Sequence, residues 1–467
     1  MPALYTAVRV TLPPRNRRLY LTTVIPAKEQ LAPCLTRGHP VLDTGPESIK
    51  GVMLMQPLSD LRVLAVTVFL AGPFLSMTLA RLGAEVIKVE IPGRGDPVRG
   101  NGPFAGPDGI HSEQRSEQHI ATRFLKRSQG VKSVTLNLRT EKGRELFLQM
   151  ARQSDIVLEN LAPGSMTRLG LGYDDVSAVN PGVIYASISG YGQTGPYAHQ
   201  PAHDPQIQGM SGLMDINGEP DGPPTRVGFY IGDLVTPMFA ATSILAALRE
   251  KERTGQGTYL DVSMMDTLTS LMLMENLEED MAAGIPLRTG NNSRSGPTGQ
   301  YHASDGAIII TAASDDQWRR LCNAIGTPEL IEDERFARYQ VRSENAEPAR
   351  AEVQQRIGKM TRVEALECLS AGDVPCAPVR TVPEILADPH FRDRGALRPM
   401  RNAAFRNENG DGEIDEVVAG FPVLFDGQPL PDIPGAPALG QHNAEVFGEL
   451  CGVNAENLAQ LQSDGVI

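Results

Sequence analysis

Cysteine is scarce: five occur in 467 residues, at Cys34, Cys322, Cys368, Cys376 and Cys451. Their number is odd and no two make a C-x-x-C pair, so neither a disulfide framework nor a cysteine metal cluster is expected. That usage fits a reducing cytoplasm. Aromatic residues make up 5% of the chain and tryptophan occurs once. Positive charge is in deficit, with 43 Lys and Arg against 56 Asp and Glu and a net charge of −13. Such a balance excludes a nucleic-acid or anionic-membrane partner held by bulk electrostatics, while leaving room for a local basic patch around an anionic ligand. No apolar run is read as long enough to span a bilayer, and the N-terminus lacks a signal-peptide layout. The histidines, among them His119, His302, His390 and His442, show no ligating spacing, so no metal is expected.

What is present has the rhythm of an α/β protein. LRVLAVTVFLAG (61–72) reads as a buried strand entering a turn, FLSMTLARLG as a helix, and AEVIKVEI (84–91) as a second strand. This is a β-α-β unit, the signature of a parallel sheet covered by helices. SVTLNL, EKGRELFLQMARQ, DIVLEN and VIYASISG continue the alternation to residue 190. The first crossover has no G-x-G-x-x-G, which argues against a dinucleotide. Residues 92–130 are rich in Gly, Pro and charge and read as a long surface excursion.

The chain divides on these signals into a non-periodic N-terminal extension (1–55), a large Rossmann-like part (56–285), a smaller α+β unit with its linkers (286–388) and a C-terminal part returning to the large one (389–467). RTGNNSRSGPTGQY (288–301) reads as an extended mobile loop, and Trp318 as a core residue of the smaller unit.

The segment after Gly190 carries the chemistry. His203 and Asp204 sit in a turn-rich loop, and Asp233 precedes Leu234, Val235, Met238, Phe239, Ile244, Leu245 and Leu248, a helical spacing. An acid there is an ordinary N-cap, and the free N–H groups and helix dipole also favour its ionised form. A cap can therefore also be a nucleophile.

Taken together, PLSDLRVLAVTVFLAGPF, LGAEVIKVEIPGRGDPVR, KSVTLNLRTEKGRELF, DIVLENLAPGSMTRLGLGYDDV, NPGVIYASISGYGQTGPY, QGMSGLM, RTGQGTYLDVSMMD and DDQWRRLC resemble the class III CoA-transferases from residue 57 to near the C-terminus. This group also includes α-methylacyl-CoA racemase-like enzymes. The resemblance implies an interlocked homodimer acting on acyl-CoA and a small carboxylic acid, with no tightly bound cofactor. It implies that Asp233 is the acyl-accepting nucleophile, and that Ala71, Arg139, Asn160 and Arg168 bind CoA. Loop SRSGPTGQ, holding Gly296 and Gly299, is the expected water-excluding closure. Formyl-CoA transferase-like members carry Gln and Arg where Leu70 and Ile91 stand, which disfavours formyl or oxalate specificity and leaves branched or dicarboxylic acyl groups such as succinyl, mesaconyl or citramalyl. The racemase branch carries Gly-His-Asp-Ile-Asn-Tyr, where this chain reads Ala202-His203-Asp204-Pro205-Gln206-Ile207. On that alternative His203 and Asp233 would be an acid/base pair across the α-carbon. The transferase reading makes His203 a polar wall of the acyl pocket.

Overall fold

The structure, a computed structural model, describes residues 55–293, 296–402 and 413–467. The expected N-terminal extension, apart from Met55, lies outside the described residues, as do Arg294 and Ser295 of the expected closing loop.

In chain order the elements that build the large part begin with β1 (Arg62–Val66), α1 (Ala71–Arg81) and β2 (Glu85–Glu90). Three short strands follow, β3 (Phe104–Gly106), β4 (Gly109–His111) and β5 (Ile120–Ala121), with α2 (Thr122–Arg127) directly after. Then come β6 (Val131–Thr135), α3 (Glu141–Ala151), β7 (Ile156–Glu159), α4 (Ser165–Arg168), α5 (Tyr173–Val179) and β8 (Ile184–Ser189). Helices α6 (Asp204–Met210), α7 (Leu213–Ile216) and α8 (Ile231–Thr254) lead to β9 (Thr258–Ser263) and α9 (Met264–Met272).

Strands β6-β2-β1-β7-β8-β9 form one six-stranded sheet, in which every pairing is parallel. Counted within the sheet, this is the 3-2-1-4-5-6 order of a doubly wound fold, and its direction of winding reverses between β1 and β7. Both faces are covered, which explains why the strands read as nearly unbroken apolar runs. Val63 and Ala65 of β1 face one core, with Leu75 and Leu79 of α1 and Ile244 of α8. Leu64 and Val66 face the other, with Leu146 and Phe147 of α3 and, from the C-terminal segment, Val446, Phe447 and Leu461. A separate core gathers Tyr301, Ile308, Trp318, Leu321, Phe336 and Val353 around an antiparallel sheet, β10 (Gly299–Ala303), β11 (Gly306–Ile310) and β12 (Cys376–Pro378). Strand β10 opens inside the stretch read as a mobile loop, where Gly299 pairs with Ile310.

Two sequence expectations are corrected here. The excursion after residue 92 is not only surface: β4-β3-β5 make a small antiparallel sheet whose Phe104 and Ala105 pack with Phe124, Met400 and Val418. Helix α8 is, by length and mean hydropathy, long and apolar enough to cross a membrane, although no run was read as reaching that length. Its buried Ala240, Ala241 and Ile244 join the core on one face of the sheet, the behaviour of a core helix.

Candidate active site

The β1–α1 turn, at the point where the sheet changes direction, is held in an unusual shape from several sides. Phe69 has φ of 65°, a left-handed conformation that a bulky residue rarely adopts without external restraint. Its N–H donates to Asp96 Oδ1 at 3.2 Å, and its carbonyl accepts from Arg127 Nη1 at 3.2 Å. Asn160, just past β7, clasps the preceding residue: Val68 N–H donates to its Oδ1 at 2.8 Å and its Nδ2 donates to Val68 O at 3.0 Å. Gly72 leaves room for this clasp, because a Cβ there would lie 2.6 Å from Asn160 Oδ1 and 2.7 Å from Thr67 Cβ.

Beneath the turn lies a buried charged network. Lys88 Nζ and Asp96 Oδ2 are 2.9 Å apart, with both side chains 1% exposed. Glu90 accepts a bidentate pair from Arg99, at 2.7 and 2.8 Å, together with Ser133 Oγ at 2.6 Å and Asp96 N–H at 2.9 Å. Burial opposes its ionisation, but the Arg99 guanidinium and the other donors outweigh it and hold the carboxyl below the usual range.

Asp233 occupies the first turn of α8, with Tyr230 as the N-cap. It does not cap its own helix, as the sequence position suggested. Asp204 does so from the start of α6, its Oδ1 accepting from Gly232 N–H at 2.6 Å and Asp233 N–H at 3.2 Å. Asp204 is itself buried and fixed by Gln208 Nε2 on its other oxygen. With the dipole of α8 met by Asp204, the Asp233 carboxylate accepts instead from the backbone N–H of Ala71, the first residue of α1. Burial first, then the negative charge of Asp204, push its pKa from 3.8 up to about 6; Arg127 and the Ala71 N–H act in the opposite sense. The result is a carboxylate that is mostly ionised at neutral pH yet poorly solvated, the state in which a weak nucleophile is most reactive.

On the other side of the turn, at the C-terminal ends of β1, β2 and β6, lies a cavity of about 700 Å³. Val68, Glu90, Ile91, Leu136 and Leu161 line it, and the exposed Arg94, Arg139 and Arg168 stand at its wall. Its location is that expected of a ligand crevice in a doubly wound sheet, and guanidinium forks suit phosphate oxygens. Arg139 and Arg168, both expected from the sequence, are thus brought together. Arg94 was missed, although it lies within the quoted stretch LGAEVIKVEIPGRGDPVR. Asn160 and Ala71 do not line the cavity: one shapes the turn and the other donates to Asp233. His203 is the last loop residue before α6, at its N-cap position, while Asp204 opens the helix; the His203 ring meets the edge of Phe69 at 6.2 Å between centroids, and no hydrogen bond to Asp233 is found among the described residues.

Residues 58–443 match the family model described as CoA-transferase family III. Similar proteins include the succinyl-CoA–D-citramalate CoA-transferase of Chloroflexus aurantiacus, 37% identical over 418 residues covering 88% of this chain and 98% of that protein. The succinate–glutarate CoA-transferase of Agrobacterium fabrum is 33% identical over 397 residues, 84% of this chain and 96% of its own. Among solved structures, a CaiB/BaiF family protein from Brucella suis matches with a TM-score of 0.72 and 34% identity, over 85% of this chain and 99% of that one.

Proposed function

Because the chain belongs to CoA-transferase family III, we propose that it moves CoA from an acyl-CoA donor to a carboxylic acid through covalent intermediates on Asp233. The observation that carries this reading is the desolvated Asp233 carboxylate, released from capping its own helix and set across the β1–α1 turn from the crevice. The carboxylate attacks the donor thioester carbonyl; the C–S bond breaks, leaving a mixed anhydride and CoA thiolate. The thiolate attacks the aspartyl carbonyl, releasing the donor acid and forming an aspartyl-CoA thioester. The acceptor carboxylate then displaces CoA to give a second anhydride, and thiolate attack on its acyl carbonyl yields the new acyl-CoA and restores Asp233. The Ala71 N–H stabilises the oxyanion that forms at the aspartyl carbonyl in these steps.

Arg94, Arg139 and Arg168 hold the phosphates of CoA, and the Val68–Leu70 turn leads the thioester from that crevice toward Asp233. The acyl group is dicarboxylic: several relatives are named for succinyl-CoA, citramalate or glutarate. A second copy of the chain covers the apolar surface left by Met238, Phe239 and Leu245 of α8 and by Leu271, Leu273 and Met274 at the end of α9, as an interlocked homodimer would.

The test is mass spectrometry of the protein after incubation with succinyl-CoA and trapping with hydroxylamine or borohydride. A mass change on the Asp233 peptide, absent from Asp233→Ala, is expected. No adduct, combined with deuterium entering the α-position of a 2-methylacyl-CoA in heavy water, would replace this reading with the racemase chemistry of His203 and Asp233.

A further inference from the structure

The small sheet after β2 assembles a group whose sequence spacing gave no warning of it. Gly106 pairs with Gly109, closing β3 and β4 over the two-residue turn Pro107-Asp108. Strand β5 then pairs along the other side of β3, with Ala105 opposite Ile120. This pairing brings Asp108 from the hairpin tip, His111 from the end of β4 and His119 from the approach to β5 to one point. His119 Nε2 lies 2.7 Å from Asp108 Oδ1, and His111 Nε2 lies 3.1 Å from Asp108 Oδ2. The three ligand-capable atoms all fall within 4.8 Å of one another. Ligands at Zn–N distances of 2.0–2.1 Å in a tetrahedron stand roughly 3.4 Å apart, so these separations need only a modest adjustment to surround an ion.

Three further observations show a built site rather than a chance meeting. His119 is buried, and its ring rests on the bare backbone of Gly106, where a Cβ would lie 2.6 Å from Cδ2 and 2.7 Å from Nε2. Its other nitrogen, Nδ1, is 2.7 Å from Ser116 Oγ, and Gln114 Nε2 donates to its carbonyl at 2.9 Å. A ligating histidine is commonly oriented by such a partner on its far nitrogen. The imidazoles stand 5.2 Å apart between centroids at 58°, so their Nε2 atoms converge without the rings stacking.

We propose that Asp108, His111 and His119 bind a divalent transition-metal ion of the zinc class, with water completing the coordination. On binding, the two Nε2 lone pairs and one carboxylate oxygen go to the metal; the His119 ring proton sits on Nδ1 and donates to Ser116 Oγ. Arg115 puts an opposing charge against the group, its Nη1 lying 3.4 Å from His111 Nε2 and 3.9 Å from Asp108 Oδ2. Its side chain is largely exposed and swings outward when the ion enters. The ion ties the β3–β4 tip to β5, and α2 follows β5 directly, carrying Arg127 to the Phe69 carbonyl. The site therefore braces the element that lends its charge to Asp233, without touching substrate.

The experiment is calorimetric titration of the chelator-stripped full-length protein with Zn²⁺, repeated with Co²⁺ and read by its visible absorption. One equivalent should bind, with affinity reduced at least tenfold in His111→Gln and His119→Gln. Arg115→Ala should bind more tightly, because it removes a cation from the site. Asp108→Asn, at an exposed turn, keeps the fold intact as judged by circular dichroism and should also weaken binding at least tenfold. Absence of saturable binding, or binding that is unchanged in Asp108→Asn and in the histidine variants, overturns the proposal.

Discussion

Replacing Asp233 by asparagine should make the protein more stable at pH 8 even as it abolishes transfer. The carboxyl titrates at about 6 in the folded protein against 3.8 ordinarily. The folded state therefore holds its proton more tightly than the unfolded state does. Stability is fully retained below about pH 4, falls as pH rises through the interval, and is lowest above about pH 6. At 1.36 kcal/mol for each pH unit, the ionised carboxylate costs the folded protein roughly 3 kcal/mol at pH 8. Asparagine keeps an oxygen for the Ala71 N–H and carries no charge, so it removes most of that penalty. With unfolding entropy near 2 cal/mol/K per residue, a chain of this size gains about 3 °C in Tm. Paired thermal scans of wild type and Asp233→Asn from pH 4 to 8 would measure it. The difference should open between pH 4 and 6 and then level off. Equal stability at pH 8, or a gain of the same size at pH 4, would refute the claim that Asp233 is a poorly solvated charge.

Other expectations follow from the same contacts. Asp204→Asn removes the like charge facing Asp233, so the acid limb of the kcat/KM profile should move below about pH 6; movement upward would contradict the electrostatic assignment. Asp96→Ala leaves Lys88 buried without its counter-ion, with only Thr67 to accept from it, and should cost about 3–5 kcal/mol in denaturant unfolding. Gly72→Ala drives a methyl into Asn160 and Thr67, and its kcat should fall at least tenfold with the fold retained in circular dichroism. Alanine at Arg94, Arg139 or Arg168 should each raise KM for acyl-CoA by about tenfold, as the loss of one hydrogen bond to a charged group requires, with a smaller effect in high salt.

The parallel sheet was legible because its strands are buried on both faces and so read as apolar runs at regular intervals. Gly255, which ends α8 at φ of 72°, is an equally plain stop signal, since glycine adopts that conformation at no steric cost. The place of Asp233 at the head of a helix was also visible, but its partner was not. Which acid caps which helix depends on α6 lying against the start of α8, a tertiary contact to which no local pattern points. Strands β3, β4 and β5 have two or three residues each, too few for alternation to register, so the meeting of Asp108, His111 and His119 stayed hidden. Arg94 sits in a Gly- and Pro-rich connection where an arginine carries no periodic signal. Pro237 would have argued for a helix starting later, yet it falls within the first two turns of α8, where its missing N–H leaves only the Asp233 carbonyl without its helical donor.

The exchange of caps also bears on how a reaction at this carboxylate would be driven. Asp204 satisfies the N–H groups that a carboxylate at the head of α8 would ordinarily have taken for itself. Asp233 in the resting protein is consequently a loaded spring whose tension is its own charge. Any step that converts it to an anhydride or a thioester erases that charge and with it the penalty that ionisation places on the fold. Covalent intermediates, which carry no charge at this position, would thus be favoured relative to the ionised free enzyme. Burial first, and then a neighbouring acid that caps the helix in its place, would on this view be what makes this carboxylate willing to react.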